Sequence, residues 1–260
     1  TATVTLGGLA VTNGTTVTVN QVTVADAQIS LASSKTLTLL GEVSSTGNLT
    51  KAGAGTLVLS GDNSYSGTTT ISNSTTTVSS GNDQYSATAN GTLQLNGSVP
   101  ASGSIVNNGN LIFNGSTAQS SALIVSGAGT VIKNGSNTLT LTGTQSYTGP
   151  TVVNYGSLQI GNGGTTGLLA SGSNLFLPFA SASLIVNHSD NLAMANTIRG
   201  VGTFSKLAAN DLTLAGSNLN AVFDIDAGNL IVQNNAPTIS GSSFFGPGAL
   251  TIQSVANSFT

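Results

Sequence analysis

The sequence predicts an all-β fold, a right-handed parallel β-helix (β-solenoid) of roughly 11 coils. Three observations point there: one segment recurs three times, apolar residues alternate with a period of two, and glycine and asparagine interrupt that alternation at short intervals. The recurring segment reads LTKAGAGTLVLSGDNSYSG at 49–67, VIKNGSNTLTLTGTQSYTG at 131–149 and FSKLAANDLTLAGSNLN at 204–220. The copies align without internal gaps. Self-similarity at such spacings marks a stacked, quasi-one-dimensional fold, because a single unit cannot bury its own apolar face.

The strands follow from the alternation. Thr1–Thr5 read Thr-Ala-Thr-Val-Thr, Thr36–Leu40 read Thr-Leu-Thr-Leu-Leu, and Thr138–Thr142 read Thr-Leu-Thr-Leu-Thr. Leucine and valine fall on one face and threonine on the other, as a half-buried strand requires. Gly, Asn and Ser between the runs supply turns. Residues 189–199 have some helical character, but their alignment with an earlier unit reads as strand and turn.

The repeat extends past the opening motif. Residues 111–129 (LIFNGSTAQSSALIVSGAG) match 184–202 (LIVNHSDNLAMANTIRGVG), and a Gly-x-Leu strand follows each core motif at Gly91–Leu95, Gly156–Ile160 and Gly228–Val232. The chain therefore reads as a single solenoid over 1–260, with internal units at 29–110, 111–183 and 184–256 and a leading partial unit at 1–28. The spacing from the second copy to the third divides into three coils of about 24 residues, each pairing with its neighbours at about 4.8 Å. One unit is longer. The stretch from Gly67 to Gly91 far exceeds the equivalent stretch from Gly149 to Gly156. The extra residues fall in Ser72–Asn90, a Ser/Thr/Asn run with Asp83 and Tyr85. They form either an additional coil or a projecting loop that engages a partner.

Composition narrows the function classes. Charged residues are 5% of the chain and hydrophobic ones 38%, with a net charge of -3. Hydroxyl and amide groups replace charges on the surface. Five scattered cations are too few for a phosphate-binding patch, which excludes nucleic acid. With no cysteine there is neither a disulfide framework nor a Cys-based metal site. Apolar stretches such as Leu175–Ala180 fall far short of the ~20 residues of a membrane helix. Thr1 opens directly on a strand pattern, so the sequence reads as a processed or excised piece.

Candidate residues are few. His188 is the sole histidine, aligned with Gly115 at a turn beside Ser189 and Asp190, and is expected to be a turn residue rather than a catalytic base. Asp224 and Asp226 share a strand face, as water-activating or Ca²⁺-binding carboxylates do on β-helical enzymes, yet no third acid lies close in sequence. A solvated face is the expectation. Lys51, Lys133 and Lys206 occupy one repeat position, either as an outward basic marker or as turn residues whose stems cover apolar surface. Tyr65 and Tyr147 precede a corner glycine and are expected to stack on or cap the coil edge, where a carbohydrate could also stack. No catalytic, cofactor or metal residue is assigned, and no cofactor is expected.

The core motif resembles the passenger-associated repeat of bacterial autotransporters, whose pattern runs Lys, Gly-x-Gly-Thr-Leu-x-Leu-Ser/Thr-Gly, then Asn-x-Tyr-x-Gly. The first copy carries Lys51, Gly53, Gly55, Thr56, Leu57, Leu59, Gly61, Asn63, Tyr65 and Gly67. The second keeps Lys133, Leu139, Leu141, Gly143, Tyr147 and Gly149 but has Asn137 at the second glycine. The third keeps Lys206, Leu212, Leu214 and Gly216, with Leu219–Asn220 where the tyrosine and its neighbour would fall. The resemblance implies a secreted or surface-displayed β-helix of a Gram-negative-type cell, a non-enzymatic adhesin or self-associating stalk whose partners are other copies, surface glycans or a neighbouring cell. Two other readings stay open: a subunit of an extracellular filament stacked end to end or laterally, and a polysaccharide-degrading β-helix enzyme.

Overall fold

In a computed structural model of the chain, residues 104–216, 219–234 and 243–254 are described. Before Ser104 the description covers the strands together with Ala32, Lys35, Val99 and Ser102. All strand pairs among these residues are parallel and join segments distant in sequence, and none of the described residues is helical. The fold is an all-β parallel β-solenoid. Tight antiparallel hairpins are absent among the described residues because each strand finds its partner one coil later, not across a two-residue turn.

Three ladders run along the coil. The first holds Leu9–Val11, Ala27–Leu31, Leu49–Ala52, Thr68–Ile71, Gln84–Ala87, Ser104–Asn107 and Ile124–Ser126. The second runs from Val17–Val19 through Thr56–Leu59, Asn110–Phe113 and Thr130–Lys133 to Leu175–Leu177. The third includes Gln119–Ser121, Thr138–Leu141, Gly156–Ile160 and Ala182–Val186. The nine-residue strand Ile198–Lys206 rounds a corner and joins the second and third ladders into one sheet. Past Ile124–Ser126, the first side is carried on by Ser146 N–H donating to Val125 O (2.9 Å) and Gln145 N–H to Leu168 O (2.8 Å). A further sheet of Leu192–Met194, Asp211–Leu214, Asn229–Asn234 and Ala249–Ser254 follows.

The alternation seen in the sequence sets the inside. Leu37, Leu39, Leu139 and Leu141 are buried, while Thr36 is exposed and Thr38, Thr138 and Thr140 are half-buried. Leu57, Leu93, Leu111, Val131, Leu158, Leu184, Phe204 and Phe223 join the same core. Each such side chain contributes about 1.5–3 kcal/mol when removed from water. Identical aliphatics then stack directly above one another, as at Leu37↔Leu57 and Leu139↔Leu158.

Most coils are shorter than the repeat spacing suggests. Val131 pairs with Leu111 on one side and Thr151 on the other, and Leu184 pairs with Phe204. Only wider turns, such as the one from Thr151 to its partner Leu175, reach the expected length. The repeat is therefore not a whole number of coils. Lys51 pairs with Ile29 and Ile71 on the first ladder, Lys133 with Phe113 and Val153 on the second, and Lys206 with Val186 and Ile225 on the third. Each copy of the motif begins one face further round. All three faces bury aliphatic side chains on the inside, so the motif fits any of them; outside they differ, since the second ladder carries the half-buried Ile112, Ile132, Val152 and Phe176 in register.

The long unit is explained in the same terms. Thr75–Val78 and Gln84–Ala87 occupy ordinary rungs, Thr75 beside Thr56 and Thr92, and Tyr85 beside Thr69 and Ile105. Those strands belong to an additional coil. Asp83 and the residues between the strands lie outside the described residues.

Candidate functional site

The repeat position that the three lysines share faces inward. Lys51, Lys133 and Lys206 are fully buried, so they form no basic marker on the surface. Their ammonium groups end on backbone carbonyls of the corner that follows. Lys51 Nζ donates to Ala52 O (2.7 Å); Lys133 Nζ donates to Gly135 O and to Tyr155 O (3.4 Å) on the next coil. Lys206 Nζ donates to Ala208 O, to Asn210 Oδ1 (3.4 Å) and to Ala227 O (2.8 Å), again one coil on. A buried charge persists only where such acceptors replace water. Burial brings the Lys51 and Lys133 amines down to about 8. Lys206 is lowered by the same cause, with the Asp211 charge opposing it. Lys133 and Lys206 tie consecutive coils together.

Tyr147 is also inside rather than capping an edge. Its ring is buried, its hydroxyl shares a 2.6 Å hydrogen bond with Thr151 Oγ1, and burial pushes the phenol up to about 12. It offers no ring face to a carbohydrate. Gly149, just beyond it, lies against the coil before: a Cβ there would stand 2.1 Å from Gly129 O. The Tyr-x-Gly pair is thus one ring turned in and one backbone passing too close for a side chain. Tyr65 lies outside the described residues.

His188 does sit at a corner, but only 1% exposed. Nδ1 meets Asp190 Oδ1 at 2.5 Å and Nε2 meets Gly167 O at 2.6 Å. A carbonyl only accepts, so Nε2 carries its proton and holds the 161–167 loop. The neighbouring Ser189 N–H donates to Gly164 O (3.0 Å) and Gly163 N–H to Asn187 O (2.8 Å), fixing the same loop. Asp190 is half exposed, and its hydrogen bond to His188 lowers its pKa. A general base needs a nitrogen turned toward a substrate, and both nitrogens here are engaged.

Among the described residues, the other acids do not converge. Asp224 stands on the third ladder beside Ser205 and Phe245, and Asp226 follows at an exposed corner where its N–H donates to Lys206 O (2.9 Å). Asp211 heads a strand of the last sheet opposite Asn229. No group of three His, Cys, Asp or Glu residues that could hold a metal ion occurs among the described residues.

The passenger-associated-transport-repeat family matches residues 49–82 and 131–160. A stretch of 76 residues, 29% of the chain, is 45% identical to the adhesin BmaC autotransporter of Brucella suis biovar 1 (strain 1330). The recurring motif is thus similar to a passenger-associated transport repeat at two places in the chain. That stretch spans 2% of the length of the curated relative it matches. No solved structure matches the chain. The two similarities support a passenger segment at the cell surface, associated with the outer membrane of a Gram-negative bacterium. No helix among the described residues is long and apolar enough to cross a membrane.

Two features of the coil were not singled out in the sequence. One is a set of buried amides at the corners. Asn107 Nδ2 donates to Thr130 O (2.9 Å), Gln145 Nε2 to Leu123 O (2.9 Å), and Asn196 Nδ2 to Ala170 O and Ser173 O (both 2.9 Å). Asn137, at the glycine position of the motif, donates to Thr117 O (2.7 Å). Their signal was present as Asn or Gln flanking a strand, but outward turn residues look the same. The other is a pair of exposed rings, Tyr155 and Phe179, stacked with centroids 5.4 Å apart and planes 6° from parallel. They are distant in sequence and neither ring recurs from unit to unit, so only the coil register brings them together.

Proposed function

We propose that the chain is a non-enzymatic, surface-displayed stalk segment that mediates adhesion or self-association. The observation that carries this reading is the inward placement of the lysines. Of five cations in the sequence, three are buried, which leaves Lys35 and Arg199 to meet the outside. What the strands turn outward is largely uncharged: hydroxyls and amides such as Thr38, Ser120, Thr140, Gln159 and Ser183, together with aliphatics such as Ile124, Ile132 and Val152. A rigid face of this kind offers many weak hydrogen bonds in register and little charge to repel a second copy, so binding grows by multiplicity rather than in a deep pocket. Other copies, surface glycans and neighbouring cells are the partners it suits; nucleic acid is not.

The same reading takes the coil as right-handed with about 11 turns, the chirality expected of parallel crossover connections. It takes 29–110, 111–183 and 184–256 as successive units of one solenoid, with 1–28 leading. The similarity to an adhesin over 29% of the chain supports the adhesive role. To test it, non-adherent cells displaying the chain are compared with cells displaying an unrelated β-solenoid. Clumping, or attachment to host cells or glycans, is the expected result, only weakly sensitive to salt. Absence of all three would sink the reading.

A further inference from the structure

One corner of the coil differs from the others. Between the second and third ladders, successive turns present Gly135, Tyr155, Phe179 and Val201. The flanking register fixes this order: Lys133↔Val153, Gly156↔Ala182 and Leu177↔Gly200. Tyr155 is 48% exposed and Phe179 46%, and their rings lie parallel at 5.4 Å, close to the spacing of adjacent coils. Val201 continues the ridge at 60% exposure.

This stack is built before any ligand arrives. The Tyr155 N–H donates to Lys133 O (3.4 Å), and the Tyr155 carbonyl accepts from Lys133 Nζ (3.4 Å), so a buried lysine anchors the backbone beneath the ring. Under Phe179, Gly202 approaches so closely that a Cβ would stand 3.0 Å from the Phe179 carbonyl oxygen. On the other side, the coil before Tyr155 has Gly135 and the exposed Ser136 at this corner, with no ring or aliphatic chain. Beside the rings, Asn154 Nδ2 donates to Asn134 Oδ1 (2.7 Å). Residues 134–136, 154–155, 178–181 and 201–202 contain no acid and no base.

We propose that Tyr155 and Phe179 form a stacking platform for a neutral hexopyranose unit of a glycan, a site that deepens the adhesive reading above and rests on it. A pyranose has one face of C–H groups and a rim of hydroxyls. The C–H face suits the electron-rich face of an aromatic ring. The rim suits the amides of Asn134 and Asn154 and the hydroxyl of Ser136. A second copy of the chain fits less well: a stable interface engages about 20–30 residues a side, and this ridge, even with the half-buried Ile132, Val152 and Phe176 of the adjoining ladder, amounts to six side chains. Anionic ligands have no cation cluster to meet. Order in the platform also lowers the entropy that binding must offset.

The test uses the full chain, an array of neutral hexopyranose oligosaccharides, and saturation-transfer NMR with methyl glucopyranosides and galactopyranosides as probes. Expected are binding to at least one neutral sugar, transfer to its ring C–H protons, and a loss of about tenfold or more in both Tyr155→Ala and Phe179→Ala, with Tyr155→Phe retaining affinity. Both rings are exposed, so an unchanged unfolding midpoint confirms that the variants fold. Three results would overturn the proposal: no binding to any sugar of the panel, binding unchanged in both alanine variants, or wild-type self-association that Tyr155→Ala abolishes, which would give the corner to a second copy. Cells displaying the chain report separately on adhesion. Wild-type cells that neither clump nor attach sink the broader reading, whereas sugar binding indifferent to the alanine variants sinks only this site.

Discussion

Tyr147 and Tyr155 are close in sequence and have opposite fates. Tyr147 belongs to the repeated motif, is buried, and hydrogen-bonds Thr151. Tyr155 stands at a position whose side chain does not recur between units, lies at the next corner, and stacks in the open on Phe179. The recurring positions of this chain are thus the internal ones. A residue that recurs is one that every unit of the coil needs, whereas a contact with an outside partner is needed once. Lysine makes the same point. A charge that the sequence would place on the surface is turned inside at all three copies, and in two of them its donor reaches the carbonyl of the next coil.

The contrast between the two tyrosines is tested most severely at Tyr147. Tyr147→Ala is expected to cost about 3–5 kcal/mol, read as a shift of the denaturant midpoint, since it empties a packed site and frees a buried Thr151 hydroxyl. If the loss is no larger than that of Tyr155→Ala, the inside-outside distinction fails. Gly149→Ala comes next. The new Cβ would meet the Gly129 carbonyl at 2.1 Å, and relief by backbone movement is expected to cost about 1–3 kcal/mol. Lys133→Met keeps the length of the stem but removes the donor, leaving the carbonyls of Gly135 and Tyr155 without it for about 1–3 kcal/mol.

A separate effect concerns the charge of the lysines. In the fold the Lys51 and Lys133 amines are held at about 8, against 10.5 ordinarily. Between those values the unfolded chain binds protons that the folded chain has released, so stability should rise with pH across that window. Below about 8 both states are protonated and this contribution is flat. Chemical denaturation at several pH values checks it, and Lys133→Met should have a shallower rise than the wild type. An unchanged slope would show that the buried amines do not titrate as described. Tyr155→Ala is expected to have the least effect, within about 0.5 kcal/mol, because its ring is exposed.

Much of the fold was legible. Thr-Leu-Thr-Leu runs at 36–39 and 138–141 put leucine inside and threonine outside, and the recurrence of the motif implied coils stacked in parallel. The length of a coil was not legible. The spacing of the later copies suggested three even turns, but the motif advances by one face with each copy, and a strand pattern of period two looks identical on every face. His188 shows a second limit. Its place at a turn could be read from the alignment with Gly115, but its burial depends on the loop at 161–167 folding over it, which no local pattern records.

The class of fold, the identity of the inward aliphatics, the scarcity of charge and the family of the repeat were all present in the sequence. These depend on local alternation and on composition, which each segment carries by itself. The coil register, the inward course of Lys51, Lys133 and Lys206, and the meeting of Tyr155 with Phe179 emerged only in three dimensions. Each of those depends on how many residues a corner spends before the next strand begins. That number varies from coil to coil, and hydrogen bonding between coils, not any single segment, determines it.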